Sequence, residues 1–376
     1  MRIAVITNSR IPSLTANSIQ AMKVCQALVQ NGHEIRLFAP RETEPASWEQ
    51  LASHYGLHTT FEIEWLPSVP NLKRYDFTLY SILATRRFKA DLVYTWMLNP
   101  AVLALWLGWP VVLEMHAEVT GKIGPWLMRR FWRSSTPKRM LVTTRPLRAA
   151  IQTVAGLEFP EDAAQIAPNG VDMAQYESLP GSVEARRQLG LEDKLTVGFT
   201  GHIYPGRGAD LLFKLAVRMP EFNFLWVGGT PDEVTYWRNQ LADVGASNVT
   251  MTGFIENSRL PLYQAAADVL LMPYGRSISA SSGQDIAEVI NPMKMFDYMA
   301  AGRAIVSSDL PVIHEVLDEN NAVFCEPGSA DAWEHALRDL FADEPRRLTL
   351  AVQARKDISE YTWVARAKRA LEGFGE

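Results

Sequence analysis

Residues 195–212 read Leu-Thr-Val-Gly-Phe-Thr-Gly-His-Ile-Tyr-Pro-Gly-Arg-Gly-Ala-Asp-Leu-Leu, and this stretch decides the fold. An apolar run typical of a buried strand ends at Thr200, and three glycines follow within eight residues. A helix is predicted to begin near Gly208. A strand, a glycine loop and a helix in this order open a βα unit, whose loop allows backbone to approach a phosphate group.

The same alternation of short apolar runs and amphipathic helical stretches extends along the whole chain, and it is typical of parallel sheets covered by helices. We therefore predict an α/β fold with two such sheets that face each other across a cleft. The expected domains are residues 1–178 and 179–355, joined by a polar connection near 178–194, and a C-terminal helix at 356–376 is expected to cross back to the first domain. The predicted strands are 3–7, 34–38, 92–95, 111–114 and 140–143 in the first domain, and 195–200, 224–227, 249–252, 269–272, 304–307 and 322–324 in the second.

Composition excludes several classes of protein. The 376 residues are 47% hydrophobic and 21% charged, which indicates two domains with sizeable cores, neither a disordered chain nor a small binding module. Cys25 and Cys325 are too far apart in sequence to suggest a disulfide framework or metal cluster, so they indicate a reducing compartment. The start, Met-Arg-Ile-Ala-Val-Ile, lacks the apolar core of a secretory signal. We expect a cytoplasmic protein, with a peripheral contact to the inner membrane face left open.

Charge is distributed unevenly along the chain. The total is −5, but residues 1–178 carry 18 basic and 15 acidic side chains, whereas residues 179–376 carry 19 and 27. Within the first half, residues 86–148 hold eleven Lys and Arg against three acids, an excess that would attract an anionic group or surface.

Residues 291–302 contain the strongest candidate site. Asn291 is predicted as the N-cap of a short helix, Pro292 as its first residue and Gly302 as the residue after its end. The first-turn N–H groups and the helix dipole favour an anion, and the adjacent Lys294 opposes the dipole unless an anion binds. Asp297 could accept hydrogen bonds from a ribose diol. The alternative is a capped surface helix with a solvated lysine and aspartate.

The glycine loop supplies the second candidate site. Gly201 allows close approach of backbone, and Arg207 offers a bidentate fork to phosphate oxygens. His202 is a further candidate, although a loop histidine is often a hydrogen-bonded bystander.

Taken in order, these motifs resemble those of retaining glycosyltransferases of family 4, which have the GT-B fold of two Rossmann-like domains. The resemblance depends on both loops, on Asn-Gly-His-Glu-Ile at 31–35, on Glu-Met-His at 114–116 and on Pro-Asn-Gly-Val-Asp at 168–172. It implies transfer of a sugar from a UDP-, GDP- or ADP-linked donor to an acceptor, with retained anomeric configuration. The resemblance implies no cofactor and no obligatory metal, and the sequence contains no Asp-x-Asp.

The resemblance also implies roles for individual residues. Arg207 and Lys294 match basic residues that bind the leaving diphosphate, and His116 matches a first-domain histidine near the transferred sugar. Asp297 stands where the family usually has a ribose-binding glutamate, while the first glutamate of that motif falls on Val289, next to Glu288. The donor sugar is therefore expected against Glu288 or the backbone from residue 290 to Met293. The full predicted donor set is Gly201, His202, Arg207, Glu288, Asn291, Pro292, Met293, Lys294 and Asp297.

A phosphate or acceptor loop is expected in the first domain. The family's glycine pair is replaced there by Ser13, Thr15 and Asn17 with their neighbours, and Asn17 and Ser18 are predicted to cap the following helix. For a retaining enzyme of this kind, the resemblance suggests that the leaving phosphate takes the acceptor's proton, so no general base is assigned.

The acceptor stays open among a glycan, a lipid-linked intermediate and a small molecule, and no nucleic acid is expected. Residues 125–133 mix arginines with large apolar side chains, so this helix could rest on an anionic membrane or bury its apolar side against its own sheet. Two other functions compete with the glycosyltransferase: a catalytically weak relative that acts as a binding or accessory subunit, and a nucleotide-sugar epimerase.

Overall fold

The computed structural model describes residues 1–41, 44–69, 72, 74–203, 206–279 and 285–375. The chain divides into two compact units. The first unit contains Met1–Asn169 and Trp363–Glu376, and the second contains Gly170–Thr362. The division falls upstream of the predicted boundary at 178, because Val171 donates a backbone hydrogen bond to Tyr361 and pairs with Thr362 inside the second unit.

In the part of the first unit that the structure describes, seven parallel strands form one sheet in the order β3-β2-β1-β4-β5-β6-β7. The central strands are buried along their whole length, as expected when helices cover both faces of a parallel sheet. The strands are β1 Arg2–Ile6, β2 Glu34–Arg41, β3 Glu62–Pro67, β4 Leu92–Thr95, β5 Val111–Met115, β6 Lys138–Val142 and β7 Ala164–Ile166. The helices between them are α1 Ala16–Gln30, α2 Trp48–Tyr55, α3 Tyr75–Phe88, α4 Leu98–Trp106, α5 Gly124–Arg133 and α6 Arg145–Ala155.

The second unit repeats this architecture with six parallel strands among its described residues, in the order β10-β9-β8-β11-β12-β13. They are β8 Thr196–Thr200, β9 Asn223–Val227, β10 Val249–Met251, β11 Val269–Met272, β12 Ala304–Ser308 and β13 Val323–Cys325. The helices are α7 Ser182–Leu189, α8 Ala209–Arg218, α9 Pro231–Asp243, α10 Leu260–Ala265, α11 Met293–Ala301, α12 Ala330–Ala342 and α13 Glu344–Asp357. The prediction of two parallel-sheet domains is confirmed.

Two segments differ from the sequence-based expectation. The predicted polar connection at 178–194 contains α7, which is held by the buried Arg186 through ion pairs with Asp193 and Asp268. The helical stretch at the C-terminus is divided. Helix α13 packs on α11 in the second unit, whereas α14, Trp363–Leu371, packs on α1 and belongs to the first unit.

Among the described residues, none of the helices combines the length and the apolar character that a membrane span requires.

Candidate functional site

The site in the second unit lies where its sheet reverses the direction of its strand order. Strands β8 and β11 are neighbours, and the strands that follow each of them extend toward opposite edges. Parallel α/β sheets bind ligands beyond the carboxyl ends of the two strands at such a switch point. The loops that follow β8 and β11 are therefore the parts of this unit best placed to hold a ligand.

The loop after β8 is fastened tightly to the loop after β11. Gly206 and Gly208 have φ angles of +78° and +90°, in the region that favours glycine. A Cβ atom on Gly206 would lie 2.1 Å from the carbonyl oxygen of Ser277, and one on Gly208 would lie 2.2 Å from that of Pro273. Both positions therefore require glycine for space as well as for backbone angle, and they fix Arg207 between them.

Helix α11 begins one residue later than predicted. Pro292 is the N-cap, with extended backbone angles of −75° and 129°, and Met293 is the first helical residue. The prediction of Asn291 as N-cap and Pro292 as first helical residue is wrong, because Pro292 itself keeps an extended ψ angle and the helical turn starts only at Met293. The N-cap side chain, a proline ring, cannot accept a hydrogen bond from the first turn. The first-turn N–H groups and the dipole of the helix favour an anion at this end.

Lys294 extends from that first turn onto the end of β8. Its Nζ atom lies 3.9 Å from the centroid of the Phe199 ring. It also covers Gly201, where an added Cβ would lie 2.9 Å from Nζ. Burial, reinforced by the positive charge of Arg207, lowers the pKa of Lys294 well below its ordinary value, although Asp297 opposes this shift. The ammonium group is thus held in a place that favours its neutral form until a negative charge arrives.

Arg207 and Lys294 share one aromatic neighbour, the buried Tyr274 that follows β11. The guanidinium carbon of Arg207 lies 5.7 Å from the ring centroid, and Lys294 Nζ lies 5.6 Å from it. These distances are within the range of cation–π attraction. Within the described chain, neither cation forms an ion pair with a carboxylate. The ring faces offset part of the cost of burying the two groups, and no carboxylate of the described chain competes with an anionic ligand for them.

Asp297 occupies the same helix but faces a buried tyrosine. The Tyr176 hydroxyl donates a hydrogen bond of 3.0 Å to Gln264 Oε1. Burial raises the pKa of Tyr176 well above its usual value, and the charge of Asp297 together with its hydrogen bond adds to the shift. The half-buried Asp297 carboxylate is therefore partly engaged within the protein, and its ribose-binding role stays a prediction.

In the segment before α11, two adjacent residues differ in their exposure to solvent. Val289 is 8% exposed and belongs to the packed interior, whereas Glu288 is exposed. The position where the family usually has a carboxylate thus carries a buried apolar side chain. On the other side of the site, His202 is half-buried and makes contacts of its own. Asp285 is a structural residue, because its Oδ1 accepts hydrogen bonds of 3.0 Å from the backbone N–H groups of Ile278 and Ala287.

In the first unit, His116 follows β5 and is anchored to the last part of that strand. Its Nε2 atom lies 2.7 Å from Glu114 Oε1, and Gln20 Nε2 lies 2.7 Å from the same ring nitrogen. Glu114 is completely buried, and its carboxylate also accepts from Tyr94 and Arg366. Although burial alone would raise the pKa of Glu114, the Arg366 charge and the His116 contact lower it well below its ordinary value.

The predicted first-domain loop is held by its own hydroxyl groups. Ser13 Oγ lies 2.8 Å from Thr15 Oγ1, and the Tyr55 hydroxyl accepts a bond of 2.8 Å from the Ser13 backbone. Thr15 is the N-cap residue of α1, so the prediction that Asn17 and Ser18 cap this helix is wrong. The helix begins earlier than expected and leaves Asn17 exposed in its first turn.

Sequence reasoning missed three residues of these sites. Phe199 and Tyr274 lie at the carboxyl ends of β8 and β11, so a systematic reading of residues that end strands could have found them. Arg366 carried no local signal, because its partner Glu114 lies 252 positions away in sequence.

Two family models match the chain. Residues 194–343 match the model described as Glycosyl transferases group 1, and residues 18–175 match the model described as Glycosyltransferase Family 4. Together they take in most of both units. The first match contains Gly201, Arg207 and Lys294, and the second contains His116.

Similarity to individual proteins points the same way. The chain is 29% identical over 209 residues to a phosphatidyl-myo-inositol mannosyltransferase of Mycolicibacterium smegmatis, covering 54% of this chain and 49% of the relative. It is 26% identical over 231 residues to a D-inositol 3-phosphate glycosyltransferase of Stackebrandtia nassauensis, covering 57% and 49%. The chain thus spans about half the length of these relatives. The fold matches that of Anabaena Alr3699/HepE, solved in complex with UDP, with a TM-score of 0.73 and 16% identity over 99% of both chains.

Proposed function

Since the chain belongs to the group 1 and family 4 glycosyltransferases, we propose that it transfers a sugar from a nucleoside diphosphate donor to an acceptor hydroxyl. The observation that carries the proposal is the pair of cations at the switch point of the second sheet. Arg207 and Lys294 lie against aromatic rings beside the start of α11, whose N-cap residue is a proline. Such a site suits a diphosphate, which brings at least two negative charges and several acceptor oxygens.

The chemistry follows from where charge develops. When the bond between the sugar and the β-phosphate breaks, negative charge grows on the leaving diphosphate. Arg207, Lys294 and the first-turn N–H groups of α11 are fixed before the reaction, so they stabilise that charge without reorganising. We propose that these groups replace a bound metal ion, and that the leaving phosphate takes the proton of the acceptor on the face from which it departs. This course retains the anomeric configuration and requires no general base.

His116 is assigned to the sugar in this scheme. It follows the carboxyl end of β5, the edge of a parallel sheet at which ligands bind. Ser13, Thr15 and Asn17 offer hydroxyl and amide groups at the same edge, after β1, to a phosphate or an acceptor.

A thermal-shift experiment with UDP, GDP, ADP and their sugars tests the donor site. At least one nucleotide is expected to raise the melting temperature of the wild-type protein, and Arg207→Met and Lys294→Met are expected to remove that shift. Lys214→Met is the matched control, because Lys214 is an exposed lysine on α8 of the same unit. Stabilisation by none of the ligands, or an unchanged shift in both variants, would refute the assignment.

Stereochemistry and metal dependence are tested with the nucleotide sugar that binds. Proton NMR of freshly released or transferred sugar is expected to show the anomeric configuration of the donor, and turnover is expected to persist in excess EDTA. An inverted product would exclude the proposed course of reaction, and loss of turnover on chelation, restored by Mg²⁺ or Mn²⁺, would exclude metal independence.

One observation favours a second candidate function. Val289 is buried at the position where the family usually has a carboxylate, and the exposed Glu288 is its only acidic neighbour within the segment 286–290. A protein that binds nucleotide without turning over any of the donor sugars would be an accessory or binding subunit. Comparing binding with hydrolysis in the same donor panel separates the two functions.

We further propose that the acceptor is anionic or held at an anionic membrane. Helix α5 buries Met128 and Phe131 but leaves Trp126 41% exposed, with the Arg130 guanidinium 5.2 Å from its ring centroid. Arginine over an exposed tryptophan is suited to a lipid–water interface. Arg130→Glu with Arg133→Glu is expected to weaken sedimentation with phosphatidylglycerol vesicles while donor hydrolysis is unchanged. Equal sedimentation of the two proteins would contradict the membrane contact.

A further inference from the structure

The carboxylate of Glu114 collects five hydrogen-bond donors inside the first unit. His116 Nε2, Gln20 Nε2 and Arg366 Nη2 converge on Oε1 at 2.7, 2.5 and 2.5 Å. Oε2 accepts from the Tyr94 hydroxyl and, at 3.2 Å, from Arg366 Nη1. A buried carboxylate needs this many hydrogen-bond donors, because burying an ionised group without partners costs free energy.

Arg366 reaches this cluster from the last helix of the chain. Its side chain is 2% exposed and that of Glu114 is 0% exposed, so the ion pair is shielded from solvent. The remaining Arg366 donor, Nε, bonds the Pro168 carbonyl oxygen at 2.8 Å. The bidentate guanidinium therefore fixes the carboxylate plane and ties α14 to the residues that follow β7.

The fixed carboxylate determines which nitrogen of His116 carries hydrogen. An ionised carboxylate only accepts hydrogen bonds, so Nε2 of His116 must be the protonated nitrogen toward Glu114. In the neutral ring, Nδ1 is then left as an acceptor, and an acceptor is what a sugar hydroxyl requires as a partner. The two hydrogens of Gln20 Nε2 are engaged by Glu114 Oε1 and, at 3.1 Å, by Asn169 Oδ1, so its contact with His116 Nε2 is a packing contact that limits rotation of the ring.

We propose that Glu114 and Arg366 are positioning residues that hold His116 as the Nε2–H tautomer, with its Nδ1 presented to a hydroxyl of the transferred sugar. The contribution of His116 to the sugar rests on the proposed function, whereas the tautomer and its origin do not. The C-terminal helix thereby supplies a side chain that acts on the first-unit site through a buried carboxylate.

The tautomer is measured without any substrate. Nitrogen-15 NMR of labelled histidine is expected to show one neutral tautomer of His116 protonated at Nε2, with the resonance identified by its loss in His116→Ala. The double variant Glu114→Met with Arg366→Met removes both charges and keeps similar side-chain volumes, so it leaves no uncompensated buried charge. In that variant the ring is expected to populate both tautomers. A mixture in the wild type, or an unchanged single tautomer in the variant, would overturn the proposal.

A double-mutant cycle tests whether the pair acts through His116. The paired Met substitutions are expected to lower kcat roughly tenfold, the size of a coupling between contacting residues, with the KM for donor unchanged. The same substitutions in the His116→Ala background are expected to have no further effect on kcat. A merely structural role would lower activity equally in both backgrounds, and that result would contradict the proposal.

Two further variants complete the experiment. Glu114→Gln combined with Arg366→Met keeps an acceptor oxygen toward Nε2, leaves no unpaired buried charge, and is expected to recover part of kcat relative to the Met pair. Lys368→Met removes an exposed cation from the same helix and is expected to match the wild type. If no nucleotide sugar binds, the proposed function fails, and the NMR measurement still decides the tautomer.

Discussion

Lys294 is a residue whose surroundings oppose its charge, and we propose that a bound diphosphate offsets this cost. Its ammonium group lies on the Phe199 ring beside Arg207, in surroundings that disfavour its charge. A diphosphate would reverse that preference, because two negative charges would then face the lysine. Lys294 should therefore affect the stability of the ligand-free protein, its own protonation and nucleotide affinity, and each effect can be measured separately.

Lys294→Met is expected to weaken nucleotide binding and to stabilise the ligand-free protein. Loss of a charged hydrogen bond corresponds to an affinity decrease of about ten- to a hundredfold. The variant loses the cost of desolvating an ammonium group, so its free energy of unfolding should exceed that of the wild type. Calorimetric titration and urea unfolding measure the two effects. A variant that binds normally, or that is less stable at neutral pH, would contradict this account of Lys294.

The lowered pKa of Lys294 also gives a direction for pH dependence. Between its folded pKa and the higher unfolded value, the unfolded chain binds the additional proton, so the stability of the ligand-free protein rises with pH. A diphosphate raises the pKa again, so binding takes up a proton and weakens as pH rises through this range. Titrations in buffers of different ionisation enthalpy are expected to show proton uptake, and Lys294→Met should abolish it.

The residues that the sequence motifs single out lie close together in the structure, and their role in donor binding stays a prediction. Gly201, Arg207 and Lys294 come together in one unit, as predicted from a loop and a helix start. Phe199 and Tyr274 were not singled out, although each lies near the end of a strand, because an aromatic residue in that place usually belongs to the core. Arg366 cannot be predicted from the sequence, because only the fold brings it to Glu114.

At the scale of elements, the loop between β8 and α8 depends on glycine for both conformation and space. Gly208→Ala is expected to abolish the nucleotide-induced thermal shift, because its Cβ would meet the Pro273 carbonyl at 2.2 Å. Gly190→Ala is the matched control: Gly190 also has a positive φ, of +67°, but nothing lies within 4 Å of an added Cβ. The control should lose roughly 1–2 kcal/mol of stability from backbone strain and retain the shift. A retained shift in Gly208→Ala would contradict the role of this loop.

Strands with both faces buried can be predicted from the sequence more readily than strands at the edge of a sheet. The central strands β4, β5, β8 and β11 are mostly apolar and are predicted from the sequence, although β5 contains the buried Glu114. Strand β3 was missed, because an edge strand of sequence Glu-Ile-Glu-Trp-Leu-Pro is polar at alternate positions. Helix α7 was assigned to a connection because its surface is charged, and the buried Arg186 that anchors it resembles a solvated residue in sequence.

At the scale of the whole molecule, the Glu114–Arg366 pair predicts acid sensitivity of the first unit. The pKa of Glu114 is lower in the folded protein than in the unfolded chain, so its stabilisation is full above the unfolded pKa and is lost as pH falls through the folded pKa. The Glu114→Met, Arg366→Met protein should therefore show a shallower loss of stability in acid. Urea unfolding between pH 7 and about pH 3 measures both slopes. Parallel slopes would contradict the prediction.

The two halves of the chain differ in net charge, and this difference does not follow the charge of their candidate ligands. The second half is strongly acidic in total, yet its candidate site is built from two cations and a helix start, so net charge says little about its ligand. The basic excess at residues 86–148 lies in the unit assigned to the acceptor.

The central claim is that a nucleoside diphosphate binds at Arg207, Lys294 and the start of α11. Isothermal titration of UDP, GDP and ADP into the wild type and into Arg207→Met, Lys294→Met and Lys214→Met tests it most directly. At least one nucleotide is expected to bind the wild type and the Lys214 variant alike, and to bind the other two variants at least about tenfold more weakly. Equal affinity for all four proteins, or no binding to the wild type, would contradict it.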